Sequence, residues 1–429
     1  ELIAGSGDKI TADTLFKIAS NSKAMTAAVL ARLVDAGKLR WDDPVVRHLP
    51  QFAMFDPWVS AHMQVQDLLV HNSGLPEGGG DLMLWPEPND YTRADIINGL
   101  RYIKPAYSFR SGYAYDNLLY VVAGEVAAAV AGTSYEDLVR AEVFEPLGLG
   151  CRVGEWRRDE VANVAQPHSR VDGHNTAVHP DGTVVPAITS AAAGGIRCSL
   201  NDMLAWAANW LAPGATQEKW LSREQRQAMW TPHTQMPISV LNRRWNDTHY
   251  YAYALGFRAA DVDGAWTVSH TGTLMGMYSV MYLLPDSNSG FVMLTNGQGG
   301  DARTVMSEVL LKQLIGKGSG AAVQHYADEI DAERAARPPV SRAPDTSSRV
   351  LATRGDAGLQ TGVWRDPWFG ETSVCERDGS VRFVAAKSPL LRGTVMRVGD
   401  RLLVDWDKDS VDAEAWLDFA SAPDTRLTM

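Results

Sequence analysis

Ser20 and Lys23 stand three residues apart in Ser20-Asn21-Ser22-Lys23. On a helix that spacing puts both side chains on one face, with a hydroxyl within reach of an amine. A serine hydroxyl is a poor nucleophile until a neighbouring base takes its proton. A lysine serves as that base only where burial or a nearby positive charge lowers its pKa from about 10.4. The start of a helix also offers free backbone N–H groups, which suit a developing oxyanion. Spacing alone does not decide the matter. Ser6-Gly7-Asp8-Lys9 has the same pattern, and a helix-start serine with an exposed lysine would read identically.

The surrounding elements separate the two. Met25, Val29, Leu30 and Leu33 recur at helical spacing over residues 24–36, and Gly37 ends the run. Ser20 therefore opens a helix, whereas Ser6 lies in a glycine-rich loop. A second helix is expected over 118–130, closed by Gly132. A third begins near Ser134, where Ser134 and Asp137 stand at capping-box spacing, and Ser199 and Asp202 repeat that spacing ahead of a helix over 203–211. From Trp266 the pattern becomes extended. Runs at 278–284 and 291–294 flank the turn Pro285-Asp286-Ser287-Asn288-Ser289-Gly290, which reads as a hairpin. A helix over 303–315 would cover that sheet.

Two further motifs follow in order. Tyr115-Asp116-Asn117 precedes the second helix, and His270-Thr271-Gly272 lies on the extended segment before the hairpin. The series Ser-x-x-Lys, Tyr-x-Asn, Lys/His-Thr-Gly resembles that of class C β-lactamases, DD-peptidases, D-aminopeptidases and CubicO-type esterases. Residues 14–19 (Thr-Leu-Phe-Lys-Ile-Ala), 67–75 (Asp-Leu-Leu-Val-His-Asn-Ser-Gly-Leu), Ala193-Gly194-Gly195 and Leu294-Thr295-Asn296 are similar to the same family, over roughly residues 8–315. The resemblance implies a serine hydrolase working through an acyl-enzyme. Ser20 would be the nucleophile, Lys23 its proton partner and Tyr115 a second acid/base. Asn117 would orient the substrate carbonyl, and His270, Thr271 and Gly272 would line the substrate site. The oxyanion hole would combine the backbone N–H groups of Ser20 and Thr273. Small peptides or amides with D-residues are the favoured substrates, then carboxylic esters, then β-lactams. A penicillin-binding sensor that acylates and stops is the alternative of another class. No metal or organic cofactor is called for.

Two departures bear on this. The run Phe109-Arg110-Ser111-Gly112-Tyr113-Ala114 lacks the Pro-Gly of many relatives and makes Tyr113 a rival to Tyr115, but only Tyr115 has Asn two places on. His270 stands where β-lactamases carry lysine, and a histidine is mostly neutral at pH 7. Weak or pH-dependent carboxylate binding and poor β-lactam turnover are therefore expected. Arg110 and Arg197 are further candidates for binding a carboxylate. His71 has no second ligand-type residue at metal spacing and reads as a structural turn residue, and Gly78-Gly79-Gly80 with Trp85 reads as a loop flanking the cleft.

At 429 residues the chain exceeds what one core serves. The expected fold is α/β (α+β): a catalytic domain over 1–318, whose antiparallel-sheet lobe comes from about 1–58 and 186–318, with a mostly helical lobe over about 59–185. A helix and linker over 319–350 follow, exposed at 337–348, and then an all-β, barrel-like domain over 351–429 with Asp-Gly, Gly-Asp and Asp-Lys-Asp turns. That last module resembles one often appended to CubicO-like hydrolases, with Thr361-Gly362-Val363-Trp364 as its most telling stretch. A packing or oligomerisation role is expected for it, and homo-oligomerisation stays open. The family's first strand and preceding helix are expected to be missing, because its pattern enters only near residue 8. A net charge of -11 argues against nucleic-acid binding. No apolar run is long enough for a transmembrane helix. Three cysteines, an odd number far apart, suggest neither a zinc site nor a disulfide framework. Localisation is open, with the resemblance favouring a periplasmic or secreted protein.

Overall fold

The computed structural model describes residues 1–318, 322–336, 345–356, 359–407, 411, 415–419 and 427–428. They fall into two compact units. The first comprises Glu1–Pro50, Ala61–Glu77 and Pro105–Arg337. Its strand β1 (Phe16–Lys17) leads through a 3₁₀ turn at Ala19–Asn21 into helix α1 (Ser22–Asp35). Nearly every α1 side chain from Ser22 to Leu33 is buried, which its alanines allow by letting neighbours approach on all sides. Helix α2 (Leu118–Ala131) packs on α1 and is the more apolar of the two, with Glu125 its one charged residue. It stops at Gly132, whose φ of 72° is the left-handed conformation of a helix end.

Six antiparallel strands form the main sheet in chain order: β3 (Thr234–Gln235), β4 (Tyr251–Tyr253), β5 (Arg258–Val262), β6 (Ala265–Leu274), β7 (Met277–Leu284) and β8 (Ser289–Thr295). The expected hairpin joins β7 to β8, with Asn288 at φ 51° in its turn. Helix α3 (Leu200–Leu211), opened by the full Ser199/Asp202 capping box, and helix α4 (Gly300–Leu314) both pack on β7 and β8. A short strand, β2 (Arg197–Cys198), pairs with β1, so Phe16 faces Cys198. The expectation for the cysteines is corrected here: Cys151 and Cys198 form a disulfide. A bridge between Arg152 and Arg197 aligns the two stretches, a contact that no spacing in the sequence announces.

The second unit comprises Gln51–Ser60, Gly78–Lys104 and Pro338–Met429. Its last stretch is an antiparallel meander, all-β as expected: β10 (Gly362–Asp366), β11 (Gly370–Arg377), β12 (Ser380–Ala385), β13 (Arg392–Val398), β14 (Arg401–Trp406), β15 (Ala415–Phe419) and β16 (Leu427–Thr428). A short β9 (Val350–Leu351) pairs with the far end of β13. The segment around Tyr91 is tied to this sheet. The Tyr91 hydroxyl donates to the Phe369 carbonyl at 2.6 Å, and Lys387 pairs with Asp95 at 2.6 Å. Most of the expected linker, at 337–344, and part of the Asp-Lys-Asp turn, at 408–410, lie outside the described residues.

Candidate active site

The site is assembled where α1 begins, where α2 begins and along β6. Ala19 holds φ at 50°, a left-handed conformation that costs a non-glycine residue about 1 kcal/mol. The packing around it pins that geometry and points Ser20 out at the head of α1. Two groups close the turn: Asn21 Nδ2 donates to Ser279 Oγ at 2.7 Å, and Ser279 Oγ donates to the Ile18 carbonyl at 2.6 Å. Strand β6 runs against the same turn. A Cβ on Gly272 would lie 2.2 Å from the Ile18 oxygen and 2.3 Å from Ser279 Oγ, so only glycine allows this approach. The glycine of the His-Thr-Gly motif thus brings Thr271 and Thr273 alongside the nucleophile's turn.

Lys23 is fully buried. Three acceptors surround its Nζ, enough for the three N–H donors of the protonated form: Ser20 Oγ at 3.2 Å, Asn117 Oδ1 at 2.8 Å and the Ala193 carbonyl at 2.8 Å. The rings of Tyr115 and Tyr120 lie 4.9 and 5.1 Å from Nζ, a favourable setting for a cation. No carboxylate pairs with Lys23 among the described residues. Tyr115 is half-buried. Of the two rival tyrosines, Tyr115 is the one beside Lys23. Ser20, Lys23, Tyr115 and Asn117 therefore converge as the motifs predict, and Gly272 brings β6 to them.

His270 does not join them. It is fully buried, and both ring nitrogens are engaged. Nδ1 lies 2.7 Å from the Thr271 carbonyl, which only accepts, so Nδ1 carries the proton; Nε2 then accepts from the Tyr253 hydroxyl at 2.6 Å. Burial, with Arg258 and Lys23 nearby, pushes its pKa well below the usual histidine range. A neutral, saturated imidazole offers nothing to a substrate carboxylate, which corrects the expected binding role. Arg110 and Arg197 are corrected likewise. Arg110 is held bidentately by Asp67 at 2.6 and 2.9 Å, and Arg197 by Asp181 at 2.6 and 2.7 Å.

Two cations that sequence reasoning missed stand beside β6 instead. Arg258 Nη1 donates to Thr271 Oγ1 at 2.7 Å, and its buried Nε has no partner among the described residues. Arg303 Nη1 donates to the Gly272 carbonyl at 2.6 Å and to Thr273 Oγ1 at 2.9 Å. Neither guanidinium has a carboxylate partner among the described residues. Burial and the charge of Arg258 both lower the pKa of Arg303, so the two cations feel one another. Uncompensated, partly buried guanidinium groups favour an anion. Isolated arginines in a strand and on a helix carry no motif, so the sequence held no signal for them.

The geometry can be set beside known proteins. The Beta-lactamase family model matches residues 3–314. The chain belongs to the β-lactamase family. Its relatives include an unguisins hydrolase of Aspergillus campestris, 27% identical over 326 residues, covering 72% of this chain and 57% of the relative. Another is penicillin-binding protein 4 of Amycolatopsis lactamdurans, 26% identical over 340 residues, covering 79% of this chain and 85% of the relative. Among solved structures, the octameric penicillin-binding protein homologue from Pyrococcus abyssi has a TM-score of 0.60 at 19% identity, covering 96% of this chain and 86% of that one. That likeness concerns the fold. The expected β-lactamase/DD-peptidase-like architecture is thus shown, and the family and the first of these relatives carry hydrolase names. No single helix among the described residues is long and apolar enough to cross a membrane. No group of three or more His, Cys, Asp or Glu among them could hold a metal ion.

Proposed function

We propose that this β-lactamase-family chain is a serine hydrolase that cleaves amides or esters through an acyl-enzyme. Lys23 acts in its unprotonated amine form: Ser20 Oγ attacks the acyl carbon as its proton passes to the Lys23 lone pair. The backbone N–H groups of Ser20 and Thr273 hold the oxyanion. Tyr115 relays the proton to the leaving amine or alcohol, Asn117 orients the carbonyl, and water then releases the acyl group from Ser20. The observation that carries this reading is the fully buried Lys23, whose contacts are Ser20 Oγ, the carbonyl-type oxygens of Asn117 and Ala193, and two tyrosine rings. A buried amine with no carboxylate to neutralise it is costly, and a proton partner for Ser20 explains why it stands there.

The substrates favoured are small peptides or amides with D-residues, then carboxylic esters, then β-lactams. Relatives named as an unguisins hydrolase and a penicillin-binding protein support attack on acyl groups of peptide-like molecules. Arg258 and Arg303, rather than His270, are the groups suited to a substrate carboxylate. The fold likeness to an octameric protein supports a homo-oligomer as part of this reading.

The test is a panel of p-nitrophenyl esters, D- and L-aminoacyl p-nitroanilides and nitrocefin, run on wild type and Ser20→Ala, with a fluorophosphonate probe reporting on Ser20. Continued turnover in wild type and none in the folded Ser20→Ala variant is expected. One equivalent of product followed by arrest would favour a sensor that acylates and stops. Retained turnover in Ser20→Ala would end the proposal.

A further inference from the structure

His71 lies 44 residues before Tyr115 yet grips the chain on both sides of it. Its carbonyl accepts from the Ala114 N–H at 3.1 Å, and its Nδ1 accepts from the Asp116 N–H at 3.1 Å. The imidazole lies against the Tyr115 ring, with centroids 4.2 Å apart, and meets Tyr253 edge-on at 4.3 Å. His71 is fully buried and holds φ at 56°, which turns the chain so that carbonyl and ring face the same segment, residues 114–116. The residues after it continue the grip. The Asn72 carbonyl accepts from Arg110 N–H, and the Gly74 carbonyl accepts from Ala106 N–H, both at 2.8 Å. Gly74 passes so close to Tyr107 that a Cβ would lie 2.7 Å from its carbonyl oxygen.

A turn residue needs none of the ring chemistry. An amide N–H only donates, so Nδ1 must be the acceptor and the proton of a neutral imidazole sits on Nε2. Burial above all, with Lys23 and Arg258 nearby, holds the ring neutral. That fixed tautomer leaves Nε2–H inside a cage of tyrosines, with no hydrogen-bond partner among the described residues. A fully buried, unpartnered N–H is rare and calls for an explanation. Here the ring is oriented by its Nδ1 bond and its tilted contact with the Tyr115 ring, not by any bond of its own Nε2–H.

We infer that His71 is the positioning residue of Tyr115, fixing its backbone through two accepted hydrogen bonds and its ring by close, tilted ring contact. This rests on Tyr115 taking part in acylation, as proposed above. The reactive geometry of a proton-transferring group is sensitive to small displacements. Loss of the Nδ1 acceptor should therefore appear in the rate of acylation rather than in substrate binding.

The test measures kcat and KM for a p-nitrophenyl ester, and the rate of Ser20 labelling by a fluorophosphonate. The variants are His71→Phe, His71→Asn, Tyr115→Phe and the His71→Phe/Tyr115→Phe pair. His71→Phe keeps a ring but leaves the Asp116 N–H unpaired, and is expected to lower kcat by about tenfold or more with KM little changed. Asparagine tolerates positive φ and places an oxygen near the Nδ1 position, so His71→Asn should recover most of that loss. In the Tyr115→Phe background, His71→Phe should cost labelling rate little further. Wild-type kcat in His71→Phe, or an undiminished effect of His71→Phe without the Tyr115 hydroxyl, overturns the inference. Should His71→Phe not fold, His71→Asn decides: near-wild-type kcat supports the role of the acceptor, and a fall as deep as that of Tyr115→Phe overturns it. Full activity in Tyr115→Phe instead overturns the reading of Tyr115 itself, and this inference with it.

Discussion

Asn117 and Lys23 are 94 residues apart in sequence, yet Asn117 Oδ1 lies 2.8 Å from Lys23 Nζ in a buried contact. The start of α2 is thereby tied to the first turn of α1, and the amide occupies one of the three donors of the amine. Replacing it by Asn117→Leu leaves a buried N–H without an acceptor. The loss is about 1.5–3 kcal/mol, which corresponds to roughly 10–100-fold in kcat/KM if the contact also orients the substrate carbonyl. Steady-state kinetics on the best ester of the panel measures it. A folded Asn117→Leu variant with undiminished kcat/KM would remove Asn117 from the proposed machinery.

Carboxylate recognition is predicted to depend on Arg258 and not on His270. Arg258 bonds Thr271 Oγ1 and retains unpaired donors, whereas the His270 nitrogens are both occupied. A guanidinium stays charged throughout the accessible pH range. KM for a carboxylate-bearing substrate should therefore be flat between about pH 5.5 and 8, where a titrating histidine would have changed it. Arg258→Gln should raise that KM by roughly tenfold while sparing a matched ester without the carboxylate. Equal effects on both substrates would sink the assignment.

What could be read before folding, and what could not, divides along local and distant contacts. Ser20 and Lys23 share a helix turn, so their alignment follows from chain geometry, and the helix itself from the spacing of Met25, Val29 and Leu33. Tyr115 and Asn117 were found by order and type, and α2 then carried Asn117 to Lys23 as that order implied. The misreadings involve partners supplied by other segments. His270 is expected from its motif to line the substrate site, and that motif says nothing of Tyr253, which arrives from β4 to saturate it. Arg110 and Arg197 looked free because Asp67 and Asp181 carry no motif. His71 was readable as a turn but not as a neighbour of Tyr115. Gly78-Gly79-Gly80 and Trp85, expected in a loop flanking the cleft, belong with residues 78–104 to the compact unit that holds the C-terminal strands, a grouping fixed by contacts such as that of Tyr91 with Phe369.

The Cys151–Cys198 bond closes a loop with a sequence separation of 47. Chain-entropy reasoning gives such a crosslink about 4 kcal/mol of stabilisation, less any native strain. Urea unfolding with and without reductant should differ by an amount of that order. Thiol titration of the denatured, unreduced protein should find Cys375 alone, and all three cysteines after reduction. Three reactive thiols before reduction would disprove the bond.

Stability should fall on the acid side of neutrality because His71 and His270 are buried neutral. Burial is the largest cause for both; Lys23 then Arg258 add to it at His71, and Arg258 then Lys23 at His270. Both folded pKa values are depressed below the unfolded value of about 6.5. Below that value the unfolded chain binds protons that the folded one refuses, so unfolding becomes easier as pH drops. Each group contributes at most about 1.4 kcal/mol per pH unit there. The contribution is fully present above the unfolded pKa and is lost progressively beneath it. Urea melts at pH 7.5 and 5 measure the difference. His71→Asn removes one of the two titrating groups and should reduce the acid-side slope by about one proton. An unchanged slope in that variant would mean that His71 takes up its proton within the folded protein.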